Sequence, residues 1–183
     1  MTLTGRTQDQ PIRIGIKIGY PNFLGLNVEY VTPLLGGRIG PSFDYSYLPT
    51  QSIGDVEASF SYMELGANVY PIRAGKGIYL NVSYGRLAFD GEVTQTVDFD
   101  PPVGPQEGTG SLSLGLNRVN FKLGSKLGGR VYFRTEFGWA LGVGDSSASV
   151  SFSAQGQTKE DTFEVPKLIA GGPLANIGIG VGF

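Results

Sequence analysis

Two residue types are missing from the 183-residue chain: it has no cysteine and no histidine. Without cysteine there is no disulfide framework, no thiolate metal site and no cysteine nucleophile. Without histidine, Ser-His-Asp catalysis, the commonest general base and the usual imidazole metal ligands are excluded. Apolar runs extend only a few residues, too short for a transmembrane helix. The opening "MTLTGRTQDQ" lacks the basic and apolar regions of a signal peptide and reads as the start of a mature chain. Excess positive charge is missing too: 14 basic residues face 16 acidic ones, and the pI is near 5.1. A nucleic-acid partner is therefore not expected, and nothing in the sequence calls for a cofactor.

Glycine and the aromatics are abundant, with Gly 29, Phe 11 and Tyr 9. That much glycine disfavours helix. Hydrophobicity alternates with a period of two almost everywhere, the mark of strands. In "IRIGIKIGY", Ile12, Ile14, Ile16, Ile18 and Tyr20 share one face, against Arg13, Gly15, Lys17 and Gly19. Similar alternation marks segments from 24 to 30, 38 to 47, 57 to 72, 78 to 89, 111 to 123, 130 to 141 and 175 to 183. The phase slips in the sixth near Asn117 and Arg118, which predicts a bulge. The expected organisation is one all-β domain, residues 11–183, behind a flexible segment 1–10.

Alternation alone does not say which face points inward. The non-apolar face is mostly glycine and small residues, punctuated by Arg13, Lys17, Glu29, Asp44, Glu64, Arg130, Arg134 and Glu136. Four positive charges thus meet four negative ones. Small residues with balanced charges suit the lumen of a narrow barrel, where each charge needs a partner. The apolar face carries almost no charge, as lipid would demand, since Arg or Lys at the bilayer midplane costs about 2–4 kcal/mol. Tyr20, Tyr30, Tyr45, Tyr47, Tyr84 and Trp139 lie near predicted strand ends, where an aromatic girdle would sit. These observations predict an eight-stranded antiparallel up-and-down transmembrane β-barrel. A soluble ligand-binding barrel with the apolar face inward is the alternative.

Short turns join strands two and three, four and five, and six and seven; most connections at the other end are long and acidic and could run on as ribbons. Arg73, Lys76, Lys122 and Lys126 group at the short-turn end. Asp98 and Asp100 with Glu107 form a candidate loop cation site, without the ordered spacing of a calcium loop; solvated loop acids explain them more simply. Gly178, Gly180 and Gly182 open no helix and are not a dinucleotide loop, while "AGKG" at Lys76 lacks the rest of a phosphate loop. Loop 93–108 and segment 144–172 are the expected partner surfaces.

The eight alternating strands, asymmetric loops and terminal "LANIGIGVGF" resemble bacterial outer-membrane barrels of the OmpA/OmpX type, and "YPNFLGLNVEYVTPLLGG" resembles the barrels of Bacteroidetes-type bacteria. The resemblance implies an outer-membrane location, periplasmic termini, extracellular long loops, and contact with outer-membrane lipid and lipopolysaccharide. It also implies that the last strand, through Ile177, Ile179, Val181 and Phe183, carries the signal read by the barrel-assembly machinery. The barrel enzymes of that membrane depend on histidine, so a non-enzymatic structural or interaction role is expected, in which the barrel could be an accessory subunit docked on an envelope protein. A narrow pore or a transporter of small apolar ligands is the alternative.

Overall fold

The described residues form ten strands, eight in the segments the alternation marks and two in an added hairpin: β1 (Ile12–Tyr20), β2 (Phe23–Tyr30), β3 (Ile39–Ile53), β4 (Val56–Val69), β5 (Gly77–Phe99), β6 (Gly104–Gly128), β7 (Val131–Gly142), β8 (Ser147–Ala154), β9 (Gln157–Glu164) and β10 (Gly172–Gly182). The structure is a computed structural model and describes residues 10–53, 56–99, 104–144, 146–154, 157–164 and 171–183. Eight strands close a barrel. Each of β1 to β6 pairs antiparallel with the next, β7 pairs with β10, and β10 returns to β1. Closure removes both sheet edges. Where the first and last strands meet, the Phe183 amide donates to the Ile12 carbonyl at 2.8 Å. The longest helical element among the described residues is a single 3₁₀ turn, Leu34–Gly36.

The wall is inside out relative to a water-soluble protein. Ile12, Ile14, Ile16 and Ile18 of β1 are all exposed, as are Leu24 and Leu26 of β2, Phe133 and Phe137 of β7, and Ile177 and Ile179 of β10. Arg13 and Lys17, their neighbours along β1, are 4% and 1% exposed. Burying such charges inside and leaving isoleucine outside is the arrangement lipid selects.

The outer part of the barrel differs from the simple alternation. Strands β5 and β6 continue far beyond the wall as a paired ribbon, from Gly77↔Lys126 to Phe99↔Gly104. Segment 144–172 contains a hairpin, β8 and β9, whose first strand pairs with β6 over Thr109 to Gly115. The bulge predicted near Asn117 and Arg118 is absent: β6 keeps unbroken register with β5 from end to end. What changes there is the content of the inward face. Leu112, Leu114 and Leu116 share the inward parity of Arg118, Asn120 and Lys122, while Val119, Phe121 and Leu123 take the other parity. The apolar residues switch faces although the backbone does not. The one register shift in the β3–β4 pairing lies between Leu48 and Gln51.

Candidate functional site

Inward positions of β1 to β7 converge on one hydrogen-bonded network. Lys17 bridges Asp44 and Glu136, with 3.0 Å between its Nζ and Glu136 Oε2. Glu136 also accepts from the Tyr79 hydroxyl at 2.9 Å and from Arg134 Nε at 3.0 Å. Arg134 Nη1 reaches Asn27 Oδ1 at 2.6 Å. Lys122 is bound to Glu64 and lies 3.9 Å from Asp44 and 3.8 Å from Glu136. Glu64 further accepts from Ser83 and, at 2.7 Å, from the Tyr62 hydroxyl.

A second group forms around Glu29, which accepts from Lys126, from the Tyr70 hydroxyl and, at 2.7 Å, from Asn68 Nδ2. Arg13 Nη1 lies 3.7 Å from the same carboxylate. Asn81 joins the two groups, donating to Asn68 Oδ1 at 2.8 Å and accepting from Ser83 at 2.9 Å. Such interlocking is required, because an unpaired buried charge costs several kcal/mol.

The glycines that weaken a strand elsewhere are needed for this filling. A Cβ at Gly124 would stand 2.2 Å from Tyr79 Cζ, and one at Gly180 would stand 2.4 Å from Tyr132 Cζ. Each of these inward glycines therefore gives its space to a ring projecting from the neighbouring wall.

Seven of the eight charged residues expected in the lumen lie there: Arg13, Lys17, Glu29, Asp44, Glu64, Arg134 and Glu136 are all at most 4% exposed. Arg130 does not. It is exposed between the end of β6 at Gly128 and the start of β7 at Val131. Lys122 and Lys126, grouped from sequence at the short-turn end and not among the lumen charges, are 3% exposed and central to the network, and Arg118 is also buried. The interior is therefore unbalanced among the described residues, with six cations (Arg13, Lys17, Arg118, Lys122, Lys126, Arg134) and four carboxylates (Glu29, Asp44, Glu64, Glu136). Counting parity from Phe121 and Leu123 would have placed Lys122 and Lys126 inside.

The remaining expected residues fall outside the network. Tyr20, Tyr30, Tyr45, Tyr47, Tyr84 and Trp139 are all exposed on the wall. Tyr20 and Tyr30 close β1 and β2; Tyr45 and Tyr47 lie within β3, which extends beyond its expected end, and Tyr84 and Trp139 lie within β5 and β7. Ile177, Ile179, Val181 and Phe183 also point outward. Asp100 lies outside the described residues; the backbones of Asp98 and Glu107 run in the β5–β6 ribbon, opposite Pro105 and Thr96. No metal-binding group of three acidic side chains occurs among the described residues.

Above the network the same inward positions become apolar. Phe60, Tyr62, Leu87 and Leu116 form a buried collar, packed by Leu48, Phe89 and Leu114. They sit side by side by register, Tyr62 opposite Leu87 opposite Leu116, and Phe60 opposite Phe89 opposite Leu114.

No protein-family model matches this chain, and no curated protein matches it. Solved structures do. A major outer membrane protein from Thermus thermophilus aligns over 94% of this chain and 98% of its own, with TM-score 0.51 and 10% identity. This chain has the fold of an outer-membrane barrel. The N-terminal β-barrel domain of Pseudomonas aeruginosa OprF aligns over 96% of this chain and 100% of its own, with TM-score 0.42 and 14% identity.

Proposed function

We propose that the protein is a non-enzymatic integral barrel of the outer membrane, plugged by its own side chains and serving a structural or docking role. The observation that carries this reading is the reversed polarity of the wall. Isoleucine, leucine and phenylalanine are exposed along β1, β2, β7 and β10 while ten charged residues are buried inside. The similarity to a protein described as a major outer membrane protein supports the location.

An eight-stranded barrel has an interior just wide enough for side chains. Here it is crossed by ion pairs and tyrosines that leave no reason for an open path. The long ribbon and the β8–β9 hairpin stand at the end opposite the β2–β3, β4–β5 and β6–β7 turns. We place them on the extracellular side and the termini in the periplasm, with the hairpins as the partner surface. An envelope protein would be the partner, docked there or along the apolar wall.

Planar-bilayer recording tests the plug. The expected result is no stable conductance from the purified protein. A steady single-channel current would replace this reading with that of a narrow pore. Protease added to intact cells should cut within 144–172 and spare the 70–76 turn; the opposite pattern would invert the orientation.

A further inference from the structure

Arg118 sits at the boundary between the polar network and the apolar collar. It is 1% exposed, and neither its Nε nor its Nη1 has a hydrogen-bond partner. Its guanidinium lies over the Tyr62 ring, 5.9 Å from the centroid, and Tyr62 belongs to the collar. The nearest carboxylate by register is Glu64, across Gly85, but it is already occupied by Lys122, Ser83 and Tyr62. A desolvated guanidinium with free donors is the protein group best suited to a carboxylate. It also belongs to an interior with two more cations than carboxylates among the described residues.

On the other side of the collar lies a largely apolar trough of about 290 Å³, lined mainly by Ala58, Phe89, Gly91, Leu112 and Val150, with Glu92 also in its lining. Ala58, Gly91, Leu112 and Val150 are successive partners across β4, β5, β6 and β8, so the trough is the inward face of the ribbon. Phe89 is both its floor and part of the collar packing. The stretch of β6 from Leu112 to Arg118 covers about 20 Å of strand. The molecule therefore presents, in line, an apolar trough, an apolar collar and a buried unpaired cation.

We propose that this outer end binds an anionic amphiphile, a long-chain carboxylate whose tail lies in the trough and whose head passes the collar to reach Arg118. Charge complementarity selects the acid over a neutral lipid. The tail alone would fill the trough, but an anionic head also answers the charge of the guanidinium, its oxygens accepting from the free Nε or Nη1. This site is independent of the plug below it, since Arg118 closes the upper end of the polar network. Binding here requires no conduction.

The test is equilibrium binding of radiolabelled palmitate to the barrel in phosphatidylcholine nanodiscs, with empty discs as background. Saturable binding of one palmitate per barrel is expected. Arg118→Met keeps the packed stem but removes the donors, and should weaken binding roughly tenfold to a hundredfold. Leu112→Trp, which fills the trough and leaves the cation intact, should weaken it at least about tenfold. Hexadecanol should compete poorly with palmitate. Non-saturable binding, unchanged affinity in Arg118→Met, or equal competition by the alcohol would each overturn the proposal. Loss in Arg118→Met with none in Leu112→Trp would also overturn it, showing a small-anion site instead. Should Arg118→Met fail to form a barrel, the Leu112→Trp and hexadecanol measurements decide the matter without it.

Discussion

The inward face of β6 joins two interiors built on opposite principles. From Arg118 down to Lys126 it contributes cations to a network in which each lysine is held by a carboxylate on another strand. From Leu116 up to Leu112 it contributes leucines to a collar and trough held mainly by apolar contact, with the Tyr62 hydroxyl as the collar's tie to Glu64. Backbone register is continuous across the change. The barrel scaffold therefore does not dictate what fills it. A charged filling is specific and costly to break, while an apolar filling is tolerant and can be remodelled.

The sharpest way to break that contrast is Glu136→Gln. It leaves Lys17 and Arg134 facing a neutral amide and raises the positive excess further. Removing one partner of a buried pair costs about 3–5 kcal/mol. Urea unfolding in lipid vesicles should show that loss. Adding Lys17→Met should restore part of it, a coupling that independent sites would not show. A double variant that loses the sum of the two single-variant losses would mean that the two sites act independently.

Leu116→Ala probes the other interior. Large-to-small changes in a core cost about 2–5 kcal/mol, and a collar opening onto a trough can relax, so the lower end of that range is expected. The ribbon should become more sensitive to protease while hydrogen exchange at Glu136 and Arg134 stays as in the wild type. Loosening that spreads into the lumen would show that collar and network are one cooperative unit.

Gly124→Ala has a smaller expected effect. The new methyl would meet the Tyr79 ring, whose hydroxyl donates to Glu136 and accepts from Arg134. The ring is held at its far end and cannot swing clear without breaking those bonds. Overpacking of this kind costs about 1–3 kcal/mol, and the unfolding midpoint should fall accordingly. An unchanged midpoint would mean that the ring has slack and the network tolerates its displacement.

The strands were legible because alternation is clear along most of the wall, and β1 keeps its apolar residues on one face from end to end. In β1 each isoleucine lies outside and each charge inside, so parity read from sequence assigned Arg13 and Lys17 correctly. Strand β6 resisted the same reading because Leu112 to Leu116 and Val119 to Leu123 belong to opposite faces. A period-two rule can express that change only as a bulge. Extensions of β5, β6 and the β8–β9 hairpin were obscured for a related reason: both faces of a ribbon outside the wall are free of the lipid constraint that produces alternation. The hydrogen-bonding amides Asn27, Asn68, Asn81 and Asn120 carried no signal beyond their parity, since asparagine is equally at home in turns.

Arg130 provides the smallest effect and the cleanest check on parity. In "LGGRVYF" it has the same parity as Tyr132 and Arg134, yet the strand starts one residue later and its side chain is exposed. Arg130 precedes β7, and although its carbonyl accepts from the Gly182 amide at 2.7 Å, its side chain is exposed at the strand's start. Arg130→Ala should therefore shift stability by no more than about 0.5 kcal/mol, the usual range for an exposed position. Lys126→Ala, in the preceding strand and bound to Glu29, should cost several times as much because it strands a buried carboxylate. Comparable unfolding midpoints for the two variants would mean that Arg130 reaches the interior after all, and that this end of the lumen is assembled differently from the pairing of β6 and β7.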